Sequence, residues 1–230
     1  MTPAPGVLRK AFKDTIPVMT GYLVLGLGYG IILQSKGYGA LWALATSALI
    51  YAGSMQYVAI DLLAGGASLI TAALTTLMVN ARHLFYGLSM VGKYKGAGWK
   101  KPYLIFALTD ETYSLVCRDM DLPEKSRHRY DFFVSLFDQI YWVSGCVLGA
   151  LIGGVLPFSV EGIDFALTAL FVTVFVEQWL QTRDHTAALV GVGSSILCLL
   201  LFGADSFLIP TMAVITLALT LLRRKTEAAA

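Results

Sequence analysis

Charged residues are scarce in this sequence. Only 14% of its 230 residues are Asp, Glu, Lys or Arg, against ~25% in an average soluble domain. A soluble protein of this length needs a charged shell around its core, and this chain has too few charges to form one. The scarcity excludes a conventional soluble enzyme, a disordered region and a coiled coil, and it leaves a polytopic membrane protein.

Residues that build metal and disulfide sites are also few. The sequence has three histidines and three cysteines, and no CxxC pair joins Cys117, Cys146 and Cys198. We therefore expect no disulfide framework and no metal site. The phosphate-binding loop GxxxxGK[ST] and the HExxH motif are absent, so we expect no ATP, no other cofactor and no enzymatic activity. The net charge of +2 is too small to indicate a nucleic-acid partner.

Apolar residues dominate instead and make up 57% of the chain. Since a membrane span needs ~20 mostly apolar residues and must satisfy its own backbone hydrogen bonds in lipid, each long apolar stretch predicts a helix. We expect an all-α integral membrane protein with seven or eight transmembrane helices in a single membrane domain, 1–230. The candidate spans are about 17–34, 39–60, 67–91, 102–117, 132–155, 163–181, 185–203 and 206–222.

Basic residues form four clusters that constrain the topology. The clusters surround Lys10 before the first span, Lys95 after the third, Arg127 after the fourth and Arg224 after the last. The positive-inside rule would place all four in the cytoplasm. Eight crossings leave the Lys95 cluster outside, whereas seven crossings, with 102–117 dipping in and returning, leave the N-terminus outside. The sequence leaves both topologies open.

Glycine pairs and matching strings indicate an internal repeat. GxxxG at Gly26 and Gly30 in the first span is matched by GxxxGxxxG at 145–153 in the fifth, and Gln56 is matched by Gln178 at a similar offset. Duplicated halves that hold the substrate between them are common in secondary transporters. The halves would be inverted with seven crossings and parallel with eight. They would comprise 14–91 and 132–203, joined by 92–131 with the short or re-entrant helix 102–117.

Polar residues inside apolar stretches are the candidates for chemistry, because a charge near the bilayer centre costs at least ~2.5–3.5 kcal/mol. In MVNARHLFYGLSM, Asn80 and His83 share one helix face, and Arg82 has the geometry to grip a carboxylate with two hydrogen bonds. The alternative for Arg82 is that it reaches the lipid headgroups.

Adjacent acids in the run ALTDETYSL form a second candidate. Asp110 and Glu111 lie in a short apolar segment, and a carboxyl group buried in such surroundings tends to be protonated. That property suits proton coupling or binding of a substrate ammonium. The alternative is that both acids are solvated at the membrane surface.

Three further polar pairs complete the candidates. A helix that loosens at IYAGSMQYV would expose backbone groups to a substrate, although small residues there also suit close helix packing. SLFDQIYWVSG carries a deep acid, and VEQW lies near the end of the sixth span, where an interfacial position is the alternative. The residues concerned are Ser54 and Gln56, Asp138 and Gln139, and Glu177 and Gln178.

The runs YAGSMQYVAIDLLAGGAS, VNARHLFYGLSM and LTDETYSL, in this order and spacing, resemble the AzlC family of branched-chain amino acid exporters. The resemblance extends from about Phe12 to Leu222. It implies an inner-membrane permease that works with a much smaller AzlD-type membrane subunit. It also implies export of valine, leucine, isoleucine and often methionine by secondary transport, in a multi-pass protein of the bacterial inner membrane.

The polar residues fit this resemblance. A zwitterionic substrate needs a cation for its carboxylate, an acid for its ammonium and an apolar pocket for its side chain. We expect proton-driven antiport with Asp110 or Glu111 as the titrating group. The alternatives are a transporter of another small metabolite, a channel and a non-transport membrane subunit. The expected substrate-binding residues are Gln56, Asn80, Arg82, His83, Asp138 and Gln139, with Ser54, Glu177 and Gln178 as further candidates.

Overall fold

Every element that the computed structural model describes is a helix, as the sequence predicts. The chain divides into two compact units, 1–167 and 168–230. By length and composition, α1 (Pro5–Ser35) and α8 (Glu124–Val155) are apolar enough to cross a membrane. The count of seven or eight spans therefore stays a prediction. The structure describes residues 5–80, 82–118, 122–155, 165, 168–169, 172, 175–176, 179–180, 184–203 and 207–228.

Shorter helices connect and surround these two long ones in the first unit. They are α2 (Ala40–Leu49), α3 (Gly53–Ala64), α4 (Leu69–Val79), α5 (Arg82–Met90), a 3₁₀ turn (Gly98–Lys100), α6 (Lys101–Phe106) and α7 (Asp110–Val116).

Helices α1 and α8 pack against each other through their glycines. A methyl group added at Gly30 would collide with the backbone of Cys146 and Ala150, and one added at Gly149 would collide with the backbone of Leu27. Because the missing side chains let the two backbones approach, the glycine pairs act as a packing face within this chain.

The same two helices run in parallel. Contacts advance together along both of them, from the ring pair Phe12–Phe137 through Tyr22–Trp142 to the glycines at 30 and 149. The amino-terminal ends of α1 and α8 therefore lie at the same end of the pair.

Three of the expected spans are interrupted. Span 39–60 breaks between α2 and α3, where Tyr51 has a positive φ of 46°. Span 67–91 breaks after α4 ends at Val79, and span 102–117 breaks between α6 and α7. Thr109 caps α7 by accepting a hydrogen bond from the Thr112 N–H. Hydropathy does not report such breaks, because the residues on both sides remain apolar.

Helices α6 and α7 form a hairpin against α8. Tyr103 on α6 packs on Phe132 of α8, and its hydroxyl reaches Gln139 further along. At the other end of the hairpin, the Val116 carbonyl contacts Arg127, close to the start of α8. A continuous helix would have carried Val116 about 20 Å beyond Tyr103 in the same direction. The chain must therefore turn back at Ala107–Thr109.

Three basic clusters meet at the amino-terminal end of α8. Lys10 lies over the ring of Tyr130 and pairs with Asp14, whose carboxylate accepts from the Tyr130 hydroxyl. The Lys93 carbonyl contacts the His128 ring, 3.1 Å from Nε2. Both topologies open from sequence place the first and second clusters on opposite sides of the membrane, so neither fits this arrangement. Both topologies treat the interrupted span 67–91 as a straight crossing, and they treat 39–60 in the same way.

That segment changes direction at its break. Thr46 before the break and Tyr57 after it both contact Tyr29 of α1, through a 2.8 Å hydroxyl contact and a ring contact. Eleven residues of straight helix would separate the two by about 16 Å. The chain therefore turns at Ile50–Ala52 instead of continuing across.

The second unit contains α9 (Thr186–Phe202) and α10 (Leu208–Ala228), which pack on each other. These helices agree with the expected spans 185–203 and 206–222. Asp184 accepts a hydrogen bond from the Thr186 N–H, 2.9 Å away, and hydrogen bonds from Thr186 lower the pKa of its exposed carboxyl. Most of the expected span 163–181 lies outside the described residues.

Candidate functional site

The three helix breaks bring polar residues together around Arg82. Arg82 is the first residue of α5, and its Nη2 donates to Ser54 Oγ near the start of α3 at 2.5 Å. The same nitrogen lies 3.2 Å from Asp110 Oδ2 at the start of α7. The side chains of Arg82 and Asp110 are 34% and 39% exposed, so the ion pair is accessible from outside the protein.

Helix geometry adds to the positive character of this place. Helices α3 and α5 begin at Gly53 and Arg82, so the positive end of each helix dipole lies close to the Ser54–Arg82 contact. A guanidinium beside two helix N-termini and one carboxylate can hold a zwitterion, because the cation and the N–H groups attract its carboxylate while Asp110 attracts its ammonium.

Behind this pair lies a chain of hydrogen-bonding groups. Tyr22 Oη on α1 is 2.7 Å from Glu111 Oε2 and 2.7 Å from Thr109 Oγ1. Thr109 Oγ1 is 3.0 Å from Thr112 Oγ1, which donates to Asp138 Oδ2 at 2.8 Å. Glu111 is partly buried, and the other four residues are less than a tenth exposed.

Two glutamines tie the helices together beside this chain. The fully buried Gln56 accepts a hydrogen bond from Trp142 Nε1 at 2.9 Å. Gln139 accepts from the Tyr103 hydroxyl at 2.7 Å and donates to the Ala48 carbonyl at 3.2 Å. These contacts join α3 to α8, and α2 and α6 to α8.

An apolar cavity of about 570 Å³ adjoins the ion pair. His83 and Tyr86 line it at the end nearest Asp110, and His83 Nδ1 lies 3.2 Å from the Asn80 carbonyl oxygen. The volume lies within the ~300–1,000 Å³ range of small-molecule sites. Its walls are formed by His83, Leu84, Tyr86, Gly87, Leu88, Met90, Val91, Tyr94, Lys101, Ile105, Phe106 and Leu108.

Most of the residues expected from sequence come together in the first unit. Arg82, Asp110 and Ser54 are in direct contact, and Glu111 follows Asp110 on α7. Two other expected positions, Asp138 and Gln56, are 0% exposed and lie in the layer behind the ion pair. Glu177 and Gln178 lie outside the described residues.

Several participating residues were missed from the sequence. Tyr22, Tyr51 and Trp142 read as ordinary apolar residues of their spans, yet Tyr22 links α1 to Glu111 and Tyr51 is buried near Asp138 and Thr112. A signal was present for Tyr22, because it lies four residues before Gly26 and so on the glycine face of α1. No comparable signal marks Tyr51, which lies at a break that hydropathy does not report.

Metal ligands do not gather in this site. Among the residues that the structure describes, no group of three or more His, Cys, Asp or Glu side chains is placed to hold a metal ion.

Comparison with known proteins relates the chain to membrane proteins of bacteria. The model of the family described as AzlC protein matches residues 17–156. The "Branched-chain amino acid transport protein AzlC" of Bacillus subtilis is 44% identical over 221 residues, which are 96% of this chain and 87% of that protein. No solved structure matches the chain.

Two further relatives have names that give only a membrane location. An "Uncharacterized membrane protein" of Haemophilus influenzae is 41% identical over 98% of this chain and 93% of its own length. The "Inner membrane protein YgaZ" of Escherichia coli is 31% identical over 82% of each chain. The family match covers more than half of the sequence, and the resemblance stated from its motifs is confirmed. The chain belongs to the AzlC protein family of membrane proteins.

Proposed function

We propose that this chain is the large subunit of a two-component secondary transporter that exports branched-chain amino acids across the bacterial inner membrane. The name of the Bacillus subtilis relative supports the substrate class. The observation that carries the proposal is the accessible Arg82–Asp110 ion pair beside an apolar cavity.

In this proposal the substrate inserts its charged groups into the ion pair. Its carboxylate takes the place of Asp110 on the Arg82 guanidinium, supported by Ser54 and the N-termini of α3 and α5. Its ammonium binds the Asp110 carboxylate. Each protein charge exchanges one partner for another, so the bound state leaves neither of them uncompensated.

The cavity receives the side chain of the substrate. Its walls are aliphatic and aromatic, apart from polar tips at His83, Tyr86, Tyr94 and Lys101. Burial of a branched aliphatic group there gains about 25 cal/mol for each Å² removed from water. A polar side chain would lose hydrogen bonds to water without replacement, which favours valine, leucine, isoleucine and methionine.

Export against a gradient requires a driving ion, and we propose the proton. Asp110 and Glu111 are the expected titrating groups, because one contacts the substrate site and the other lies directly behind it. The other expected binding residues, Asn80, His83, Gln56, Asp138 and Gln139, would shape the site around the substrate.

The test is isoleucine efflux from an exporter-deficient bacterium that is loaded by feeding an isoleucine-containing dipeptide. The chain is expressed alone and together with its small AzlD-type subunit. Efflux restored only by the pair is the expected result. A well-folded pair that moves none of valine, leucine, isoleucine and methionine would overturn the substrate assignment.

A matched experiment tests the driving ion. The pair is reconstituted in sealed vesicles with labelled isoleucine, and efflux is followed with and without an imposed pH gradient. A rate that ignores the gradient would contradict proton coupling while leaving amino acid transport intact.

A further inference from the structure

The hydrogen-bonded chain between Glu111 and Asp138 contains more contacts than its hydroxyl groups can fill. Four contacts join the five groups in the order Glu111, Tyr22, Thr109, Thr112 and Asp138. Each contact is short enough to need a hydrogen atom between its two oxygens. The three hydroxyl groups carry one hydrogen each, so three contacts are satisfied and one is left without a hydrogen.

The deficit cannot be met from the backbone. The Thr112 N–H is directed at Thr109 Oγ1, which it caps, and it fills none of the four oxygen–oxygen contacts. If both acids were ionised, one contact of Thr109 Oγ1 would lack a hydrogen atom, either the 2.7 Å contact with Tyr22 Oη or the 3.0 Å contact with Thr112 Oγ1. The two oxygen atoms of that contact would face each other with lone pairs only. One additional proton on either acid supplies the fourth hydrogen and completes the chain.

The geometry points to a single proton that Glu111 and Asp138 hold jointly through three hydroxyl groups, as the coupling element of the transporter. This inference rests on the proposed function only for its role in transport. The sharing itself follows from the contacts.

Two arrangements of the hydrogen atoms satisfy all four contacts. With the proton on Glu111, each group donates toward Asp138, and Thr112 donates to the Asp138 carboxylate. With the proton on Asp138, every donation is reversed, and Tyr22 donates to the Glu111 carboxylate. When one arrangement converts into the other, each hydroxyl group passes its hydrogen to the neighbour on one side and receives a hydrogen from the neighbour on the other side. The pair keeps a net charge of −1 throughout.

One atom of Asp138 indicates which arrangement is favoured at rest. Asp138 is 0% exposed, and its Oδ1 is buried without a hydrogen-bond partner among the described residues. A buried, unpaired oxygen costs more on an anionic carboxylate than on a neutral carboxylic acid. The proton therefore rests on Asp138, and Glu111 carries the charge.

The surroundings of the two ends differ. Among the described residues, and apart from Tyr22 and Asp138 of the hydrogen-bonded chain itself, the charged and titratable groups near Glu111 are Arg82, Asp110, Tyr86 and Tyr51. The first three belong to or adjoin the substrate site. Near Asp138 the titratable groups are the phenols of Tyr51 and Tyr103. A substrate that takes over the Arg82–Asp110 pair changes the charge beside Glu111 alone, so it shifts the proton along the chain.

Infrared spectroscopy of the purified full-length chain in lipid nanodiscs tests the shared proton without any substrate. We expect one C=O band of a protonated carboxyl at neutral pH to disappear in Glu111→Gln and also in Asp138→Asn. In each variant the new amide donates the fourth hydrogen, so the remaining acid loses its proton. The double variant should lose nothing further.

Other patterns would overturn the proposal. A band that survives in Glu111→Gln would mean that Asp138 is an isolated buried acid. Loss of a second band in the double variant would mean two independent protons. Since no amino acid is present, these outcomes are separate from a failure of isoleucine efflux, which bears on the proposed function alone.

Interruption of the hydrogen-bonded chain at Thr112 gives a test that does not depend on the folding of Asp138→Asn. Thr112→Val removes the hydroxyl that connects Thr109 to Asp138. In this background, addition of Glu111→Gln should no longer abolish the carboxyl band. In Thr112→Ser, which keeps the hydroxyl, Glu111→Gln should abolish it as in the parent. Equal behaviour of the valine and serine backgrounds would refute the hydroxyl chain.

Discussion

At the scale of single residues, Arg82 combines three properties that no other described residue of the site shares. It begins a helix, it contacts the starts of two others, and its ion pair remains accessible. The sequence identified Arg82 and Asp110 as candidates because both are charged within apolar runs. It did not pair them, since contact between residues 28 positions apart depends on how the broken helices turn.

Replacement of Arg82 by glutamine should weaken binding of labelled isoleucine at least about tenfold. A hydrogen bond to a charged group contributes ~1.5–3 kcal/mol, and each 1.4 kcal/mol corresponds to a factor of ten. The affinity of Arg82→Lys should lie between those of the parent protein and Arg82→Gln, because lysine keeps the charge and loses the two-pronged geometry. Equilibrium binding of isoleucine to the two subunits together in nanodiscs measures the effect. Unchanged affinity in Arg82→Gln would show that this residue is not part of the site.

Gly87 offers a test of the cavity as the side-chain pocket. It lines the cavity, and a methyl group added there would meet no atom within 4 Å. Gly87→Leu should therefore fill part of the space and weaken competition by isoleucine more than competition by alanine. Gly92→Ala, also with open space around it and outside the cavity wall, serves as the control. Equal loss for both amino acids would argue against this pocket.

At the scale of helices, the α1–α8 contact depends on the absence of side chains at a few positions. Two glycines of α1 make the comparison possible within one helix. A methyl group at Gly30 would strike the backbone of α8, whereas one at Gly21 would meet open space. Both positions have ordinary helical geometry, so the difference between them reports packing alone.

We expect Gly30→Ala to lower the stability of the protein by ~1–3 kcal/mol, the usual cost of overpacking. Gly21→Ala should be neutral or should stabilise by ~0.5–1 kcal/mol, because alanine favours the helix. The fraction that remains monodisperse after heating in detergent measures both variants. An equal response of the two would show that the backbones do not meet at Gly30.

The helices differ in how far the sequence predicted them. Both bounds of α9 and the start of α10 follow from apolar runs, because each run is one uninterrupted helix, whereas α10 continues past its apolar run to Ala228. The hairpin of α6 and α7 was one of two alternatives for 102–117, and the turn at Ile50–Ala52 was not predicted. A break is a property of the backbone, and the residues that lie at these breaks, Tyr51 and Thr109, are of types that also occur within continuous helices.

At the scale of the whole molecule, the basic clusters around Lys10, Lys95 and Arg127 gather at one end of the α1–α8 pair. The positive-inside rule assigns that end to the cytoplasm. The opposite end of α1 carries the loop around Lys36. Both Lys36 and Lys95 are exposed, which makes them suitable positions for labelling.

In a cysteine-free background, Lys36→Cys should react with a membrane-impermeant maleimide in intact cells. Lys95→Cys should react only after permeabilisation, because its loop shares the end of α1 that carries Lys10. The two topologies that treat 39–60 as a straight crossing place both lysines on the same side. Equal labelling of the two variants would therefore contradict the turn at Ile50–Ala52.

The parallel contact between α1 and α8 also constrains how the chain is made. When α1 leaves the ribosome, its partner face at 145–153 is still about 115 residues from synthesis. Until then Tyr22 lacks the Trp142 ring on which it packs, and the bare backbone around Gly26 and Gly30 faces lipid or an insertion factor. Helix α1 must therefore remain in the membrane without its packing partner until α8 is synthesised. A chain truncated before α8 should be recognised and degraded as an incomplete product.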